Sequence, residues 1–212
     1  MVAAAKIGLW RALTATACLV AALAGCATDA PRPAEPEPAA RVPAPVLRKG
    51  YACCNLHYNG DRISDANFAQ FPFIPAGTPV TVRRVDGAGA EIEVAGKAML
   101  LVVEGGRPGA TVQEWVDRLV VAEDPRQRLE RYPANVRTAI LAGQLTKGMT
   151  REQVVMAVGH PQADEAQGRA GPHTRYWWSS FVPYYVYWGK NGTVARVEGP
   201  AEALAKLVYK GK

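Results

Sequence analysis

The sequence has no run of like charge, only three histidines and no long apolar run. Lys and Arg are scattered among Asp and Glu, so the formal net charge of +6 leaves no electrostatic footprint for nucleic acid, and no nucleic-acid partner is expected. The most apolar stretch, Ala12 to Leu23, is interrupted by Thr14 and Thr16 and is shorter than the about 20 residues that a spanning helix needs. Missing too are a nucleophile elbow, a phosphate-cradling glycine loop, a metal-ligand pattern and a paired-carboxylate motif. These absences point to a protein that binds rather than catalyses. No enzyme activity, catalytic residue, metal site or cofactor is expected.

What is present at the N-terminus is a short segment carrying Lys6 and Arg11, then the apolar stretch, then Leu23-Ala24-Gly25-Cys26. A charged n-region, an apolar h-region and a small-residue cleavage site together make a signal peptide over residues 1–25. The last four residues resemble the lipobox of bacterial lipoproteins. That resemblance implies cleavage before Cys26, a thioether-linked diacylglycerol on its sulfur and acylation of the new amino terminus, so that several acyl chains anchor the protein in a membrane. Ala27, rather than an aspartate, follows the cysteine, which resembles the signal for onward transport to the outer membrane. The expected location is therefore the outer membrane, with the body in the periplasm. Cleavage also removes Cys18, and with Cys26 acylated only Cys53 and Cys54 are left. No disulfide framework is available, so the fold must rest on an apolar core.

Residues 26–48 are dense in Pro and Ala, with isolated charges and almost no large apolar side chain before Val46 and Leu47. Such a stretch buries too little surface to offset its ordering entropy, and its prolines bias it toward extended chain at about 3.1 Å per residue. It reads as a tether between the lipid and the body.

From Tyr51 the composition changes. A turn cluster, Ile74-Pro75-Ala76-Gly77-Thr78-Pro79, leads into Val80 to Val85, whose alternation predicts a half-buried strand. A turn at Asp86-Gly87 and Gly89 precedes the alternating Glu91 to Val94, and a second turn at Gly96-Lys97 precedes Met99 to Val103, apolar enough to be buried on both faces. Thr111 then opens a helix, with Glu114 completing a capping box and Val112, Trp115, Val116, Leu119 and Val120 on one face. Residues 51–123 therefore predict a small β-rich module, SH3-like or a meander, with a C-terminal helix.

Within it, Cys53 and Cys54 are adjacent and His57 lies close by. The three could make a metal site or a thiol nucleophile with a histidine base. Zinc usually takes four ligands, and this set supplies at most three. A nucleophile needs an activated thiolate and a group orienting its base. The alternatives are a vicinal disulfide or two thiols near a strand.

After a polar stretch the chain restarts at Arg131. Val136, Ile140 and Leu141 recur at helical spacing until Gly143. In Gly148-Met149-Thr150 and the residues following, Thr150 and Gln153 form a capping box. Val154, Val155 and Val158 form an apolar face, Gly159 suits a left-handed C′, and Pro161 prevents continuation. A polar loop from Gln162 to His173 leads to two aromatic strands, Arg175 to Phe181 and Val182 to Trp188. Asn191-Gly192 then predicts a type I′ hairpin into Thr193 to Glu198.

This order of Gly148, Met149, Thr150, Gln153, Val154, Gly159 and Pro161, followed by Trp177, Tyr187, Asn191, Gly192 and Val194, resembles the SmpA/OmlA (BamE-like) outer-membrane lipoprotein domain over Leu145 to Gly199, about a quarter of the chain. The resemblance implies two helices on one face of a three-stranded antiparallel sheet, and a role in outer-membrane assembly or envelope integrity. Members of the family are lipoproteins too, in agreement with the lipobox. The segment from Tyr51 to Glu123 is extra to the compact members. The same helix-sheet unit also resembles modules of proteinaceous β-lactamase inhibitors, so an inhibitor of a secreted enzyme is a second functional expectation.

The expected fold class is thus α+β: the β-rich module over 51–123, a helix-helix-sheet domain over 131–199, and a tail with helical character over 200–212. The C-terminal aromatics are dense, and a sheet covered on one side turns alternate residues to solvent. Tyr176, Trp178, Tyr185, Tyr187 and Trp188 are candidates for a partner-binding face, because exposed Trp and Tyr are favoured interface anchors. Tyr185 and Tyr187 share one face of their strand, and Tyr184, Val186 and Trp188 share the other. His160 and His173 have no acidic or cysteine neighbours at ligand spacing and read as loop residues. The expected partners are the membrane, through the lipid, and an envelope protein such as the outer-membrane assembly machinery.

Overall fold

The computed structural model describes residues 46–87, 89–104, 111–162 and 171–211; the signal peptide, Cys26 and most of the tether lie outside the described residues. Strand β1 (Arg48–Ala52) opens the body at Arg48, the last residue of the stretch read as tether, and its Arg48, Lys49, Gly50 and Tyr51 pair antiparallel with Val82, Thr81, Val80 and Pro79. Two short strands, β2 (Leu56–His57) and β4 (Phe73–Ile74), pair with each other, and β3 (Arg62–Ser64) lies between them in the chain. The alternating segments found in the sequence are β5 (Pro79–Val85), β6 (Ala90–Val94) and β7 (Lys97–Val102), consecutive antiparallel neighbours. Their inward residues Val80, Val82, Ile92, Val94, Met99 and Leu101 are buried. β7 buries Met99 and Leu101 on one face and Val102 on the other, where Leu100 is only half-buried, so burial on both faces is reached only at its end.

Helix α1 (Val112–Leu119) carries the Thr111–Glu114 capping box and buries Val112, Trp115, Val116 and Leu119. Strand β8 (Val120–Val121) follows it and completes a six-stranded sheet in the order β3-β7-β6-β5-β1-β8. Arg48 fastens β1 to α1, donating to Asp117 Oδ1 at 2.6 Å and to the Val116 carbonyl at 2.8 Å.

A four-residue helix α2 (Arg126–Leu129) leads to α3 (Ala134–Leu141) and α4 (Arg151–Val158). In α4 the Thr150 hydroxyl accepts from Gln153 N while Gln153 Oε1 accepts from Thr150 N, the reciprocal arrangement read from the sequence. Its buried side is Gln153, Val154, Met156, Ala157 and Val158, with Val155 half-buried. Leu141 is 60 % exposed, because it falls on the far side of α3 from Val136, Ala139 and Ile140.

Three antiparallel strands, β9 (His173–Ser179), β10 (Val182–Trp188) and β11 (Val194–Glu198), make a second sheet in the order β11-β10-β9. Central β10 tolerates Pro183 because the register shifts there, a bulge where no ladder donor is needed. The turn into β11 is not type I′. Among the described residues only Asn67 and Ala95 are non-glycine residues with positive φ, so Asn191 stays on the ordinary side and only Gly192 is left-handed. Gly192 N donates to the Gly189 carbonyl at 2.9 Å, and Asn191 Oδ1 accepts from Thr193 N and Oγ1. The asparagine side chain thus closes a longer turn that its backbone does not close. Helix α5 (Ala201–Leu207) follows, and Leu145 clasps it, donating to the Leu207 carbonyl and accepting from Tyr209 N.

Two apolar cores result. One gathers the six-stranded sheet, β2, β4 and α1. The other gathers Ile140 of α3, Val154 and Met156 of α4, Tyr176, Trp178, Tyr184 and Val186 of the second sheet, and Ala203 and Leu207 of α5. Both belong to one compact unit, Val42–Lys212. Buried asparagines hold them together. Asn55 donates from Nδ2 to the carbonyls of Ile140 (2.8 Å) and Ala157 (2.9 Å) and accepts at Oδ1 from Ala76 N (3.1 Å). Asn67 accepts at Oδ1 from His57 N (2.7 Å) and donates from Nδ2 to the Val158 carbonyl (2.7 Å). The carbonyls of Ala157 and Val158 at the end of α4, which have no backbone donor, are therefore satisfied by side chains from the first core's segment, and the Ile140 carbonyl of α3 takes one of them beside its bond from Gly143 N. The edge of β9 is taken as well, since Ala69 N and Gln70 N donate to the Trp177 and Trp178 carbonyls.

Candidate functional site

The asparagine pair fixes where α4 ends, and hence where Gly159, His160 and Pro161 run. Strand β1 ends at Ala52, so Cys53 and Cys54 lie beyond the alternation that would send neighbouring side chains to opposite sides. Both flanks of the pair are held by backbone bonds, Cys53 N to the Leu119 carbonyl at 2.8 Å and Asn55 N to the Met156 carbonyl at 3.0 Å. The two sulfurs are joined as a vicinal disulfide. His160 comes against them: one ligand atom from each of Cys53, Cys54 and His160 lies within 4.8 Å of the other two.

His160, and not His57, is thus the histidine of the cysteine pair. His57 sits in β2 with its backbone N bonded to Asn67, its Nδ1 at 2.7 Å from the Phe71 carbonyl and its ring edge-on to Phe73. Its Nε2 is buried without a hydrogen-bond partner among the described residues. Burial holds its pKa below the ordinary histidine value, opposed by the bond to Phe71. A histidine so enclosed stays neutral and packs as part of the core. No spacing in the sequence marks His160, because the contact depends on how β1 and the end of α4 meet.

Cys53, His160 and Pro161 form one wall of a cavity of about 540 Å³. Its other walls are Arg118 of α1, Val121 of β8, Arg128 of α2, Arg151, Glu152, Val155 and Met156 of α4, Thr174 and Tyr176 of β9, and Trp188 of β10. Three guanidinium groups face one carboxylate, and Glu152 already accepts from Arg128 at 2.7 Å. The Arg151 guanidinium lies over the Trp188 ring, 4.1 Å from its centroid, and the indole N–H donates to Thr174 Oγ1 at 2.9 Å. Burial pushes the Tyr176 hydroxyl well above the ordinary tyrosine range, with the nearby Arg151 cation pulling the other way. The cavity is therefore electropositive, walled by a neutral phenol and an indole, and suited to an anionic or aromatic group.

The aromatic candidates separate by strand face. Tyr176 and Trp178 are 5 % and 8 % exposed and point to the helices, so they are not on the solvent side of the sheet. Tyr176 stacks on Tyr184, its cross-strand partner, with ring centroids 5.5 Å apart. Tyr185 and Tyr187 are half-buried on the opposite face. There His173 packs against both rings and the Arg196 guanidinium covers Tyr187 at 3.7 Å. Trp188 belongs to the cavity. Arg118, Arg128 and Arg151 carried no signal in the sequence, since three arginines on three helices converge only through the fold.

No known protein family, curated protein or solved structure matches the chain. Among the described residues, no helix is long and apolar enough to cross a membrane.

Proposed function

We propose that this is a lipid-anchored envelope protein, held at the outer membrane through Cys26 with its body in the periplasm, and that it acts by binding an envelope protein rather than by catalysis. The observation that carries the binding role is the cavity where Arg118, Arg128 and Arg151 converge beside Trp188 and Tyr176. Arg, Trp and Tyr are the residues that dominate interface energetics, and a concave site in which Arg128 is paired with Glu152 while Arg118 and Arg151 have no carboxylate partner among the described residues selects an acidic segment of the partner. The lipobox supports the location, because a body tethered by its first mature residue meets its partners at a bilayer surface. Two α3–α4 helices on one face of a three-stranded antiparallel sheet, with the Thr150–Gln153 box opening α4, support an SmpA/OmlA-like unit over residues 131–199. A separate apolar core over the earlier strands supports a β-rich, meander-like unit over residues 51–123.

The test is photo-crosslinking in intact envelopes from a probe placed at position 118, with Arg151→Glu as the matched charge reversal. An adduct with an envelope protein that Arg151→Glu abolishes is the expected result. An adduct unchanged by the reversal would move docking off the cavity, and fatty-acid labelling of the wild type that fails to mark Cys26 would remove the anchor.

A further inference from the structure

We propose that Cys53, Cys54 and His160, once the disulfide is reduced, form a binding site for a soft, thiophilic cation of the Cu(I) class. Cys53 and His160 line the cavity proposed for docking, but the cation site is argued from its donor atoms and does not rest on the docking role.

Two sulfurs and one imidazole nitrogen already lie within 4.8 Å of one another. Donors bonded to one cation at about 2.0–2.3 Å sit about 3.5–4 Å apart, so the two sulfurs, bonded to each other here, must part on reduction, while the His160 nitrogen needs to close by only about an ångström. They are held together by groups other than themselves. Bonds from Cys53 N and Asn55 N grip the cysteine bend on both sides, and Asn67 grips the Val158 carbonyl just before the His160 loop. A donor set fixed by its supporting shell is what a metal site requires.

The donor chemistry chooses the cation. Thiolates with an imidazole select soft cations such as Cu(I), and three donors fall short of the four that a structural zinc takes. Arg118, Arg128 and Arg151 on the walls of the cavity that Cys53 and His160 line favour thiolate over thiol, and balance the negative charge of two thiolates on a monovalent cation.

The sulfurs are a disulfide in this structure, so the cation must wait for a reductant. A dithiol donor supplies it by exchange. The donor's two thiols become a disulfide, the Cys53–Cys54 bond breaks, and two electrons and two protons convert both sulfurs to thiols. Binding of the cation then releases those two protons. Reoxidation by a disulfide acceptor reverses the sequence and expels the cation, which makes the site a redox-gated one.

The experiment uses the full chain in detergent, reduced with a phosphine under argon and titrated with Cu(I) against bicinchoninate. The reduced wild type should take up one equivalent beyond that bound by the Cys53→Ala/Cys54→Ala variant, and the unreduced protein should lack it. His160→Asn should weaken uptake by tenfold or more at an unchanged melting temperature, because loss of an outer-shell partner alone costs about 10–100-fold. Reoxidation of loaded wild type should release the ion, a control that needs no variant to fold. Equal affinity in His160→Asn, equal uptake by the double alanine variant, or retention of the ion after reoxidation would each overturn the proposal.

Discussion

A Cβ on Gly159 would overlap the side-chain amide nitrogen of Asn67. That amide donates to the Val158 carbonyl, so the space a side chain would take is filled by the group that ends α4. The backbone of Gly159, at φ 83° and ψ 178°, also lies in a region that is essentially glycine's alone. It is not the left-handed C′ expected from the sequence, because the chain must turn outward to bring His160 to the cysteines. Gly159→Ala should lose about 1–3 kcal/mol from the backbone alone, with the Asn67 overlap adding to it. Urea denaturation measures this, and a midpoint equal to the wild type's would contradict it.

Asn55 makes a second prediction. Asn55→Leu fills the same space but leaves the Ala157 carbonyl and Ala76 N without their partner, while the Ile140 carbonyl keeps its bond from Gly143 N. Each of these two buried orphans costs about 1–3 kcal/mol, so the total should be about 2–6 kcal/mol. Thr150→Ala, which removes one helix cap at the surface, should cost only about 1 kcal/mol. Similar losses for the two variants would mean that Asn55 does not join the cores as described.

Both asparagines show why the sequence was legible in some places and silent in others. Alternation revealed β5, β6 and β7 because one side of each is buried and the other is not. Capping boxes revealed α1 and α4 because both partners of each box lie within four residues. Strands β2 and β4 span two residues each, too short for any period, and exist because Asn55 and Asn67 fix the chain around them. Asn191-Gly192 marked the right turn but the wrong type, since the bulge in β10 at Trp188 alters the register that a two-residue loop would need. At the candidate site, Cys53 and Cys54 drew attention by being adjacent. His160 and the three arginines reach them only across tertiary contacts, for which local pattern holds no information.

His57 predicts a pH dependence. Its folded pKa is depressed, chiefly by burial, and its unpartnered Nε2 would carry a proton with no acceptor. Below the ordinary value of 6.5 the unfolded chain binds a proton that the folded chain refuses. Unfolding therefore takes up a proton in that window, and stability falls as the pH drops from 6.5 toward the lower folded pKa. Above 6.5 both states are neutral at this group, and the contribution disappears. Urea midpoints measured between about pH 8 and about pH 5 should decline on the acid side in the wild type. His57→Phe, which keeps the ring against Phe73, should flatten that decline; an unchanged slope would place the titration elsewhere.

The two faces of the C-terminal sheet make the last prediction. Tyr184 is buried between the sheet and the helices and stacked on Tyr176, so Tyr184→Ala should cost about 3–5 kcal/mol. Tyr185 and Tyr187 lie on the outer face, where their contacts are with His173 and Arg196, and truncating either should cost about 1 kcal/mol or less. Trp188 differs from both sets, because its ring carries the Arg151 guanidinium and its N–H reaches Thr174 at the cavity wall. If the cavity docks an acidic partner segment, Trp188→Ala should remove about 2 kcal/mol or more of binding, beyond what its effect on melting explains. Tyr185→Ala and Tyr187→Ala should leave capture intact. Melting curves and crosslinked-partner yields, taken on the same four variants, separate the outcomes. Loss of capture confined to the Tyr185 and Tyr187 variants would put docking on the open face of the sheet, with the arginine cavity serving another ligand.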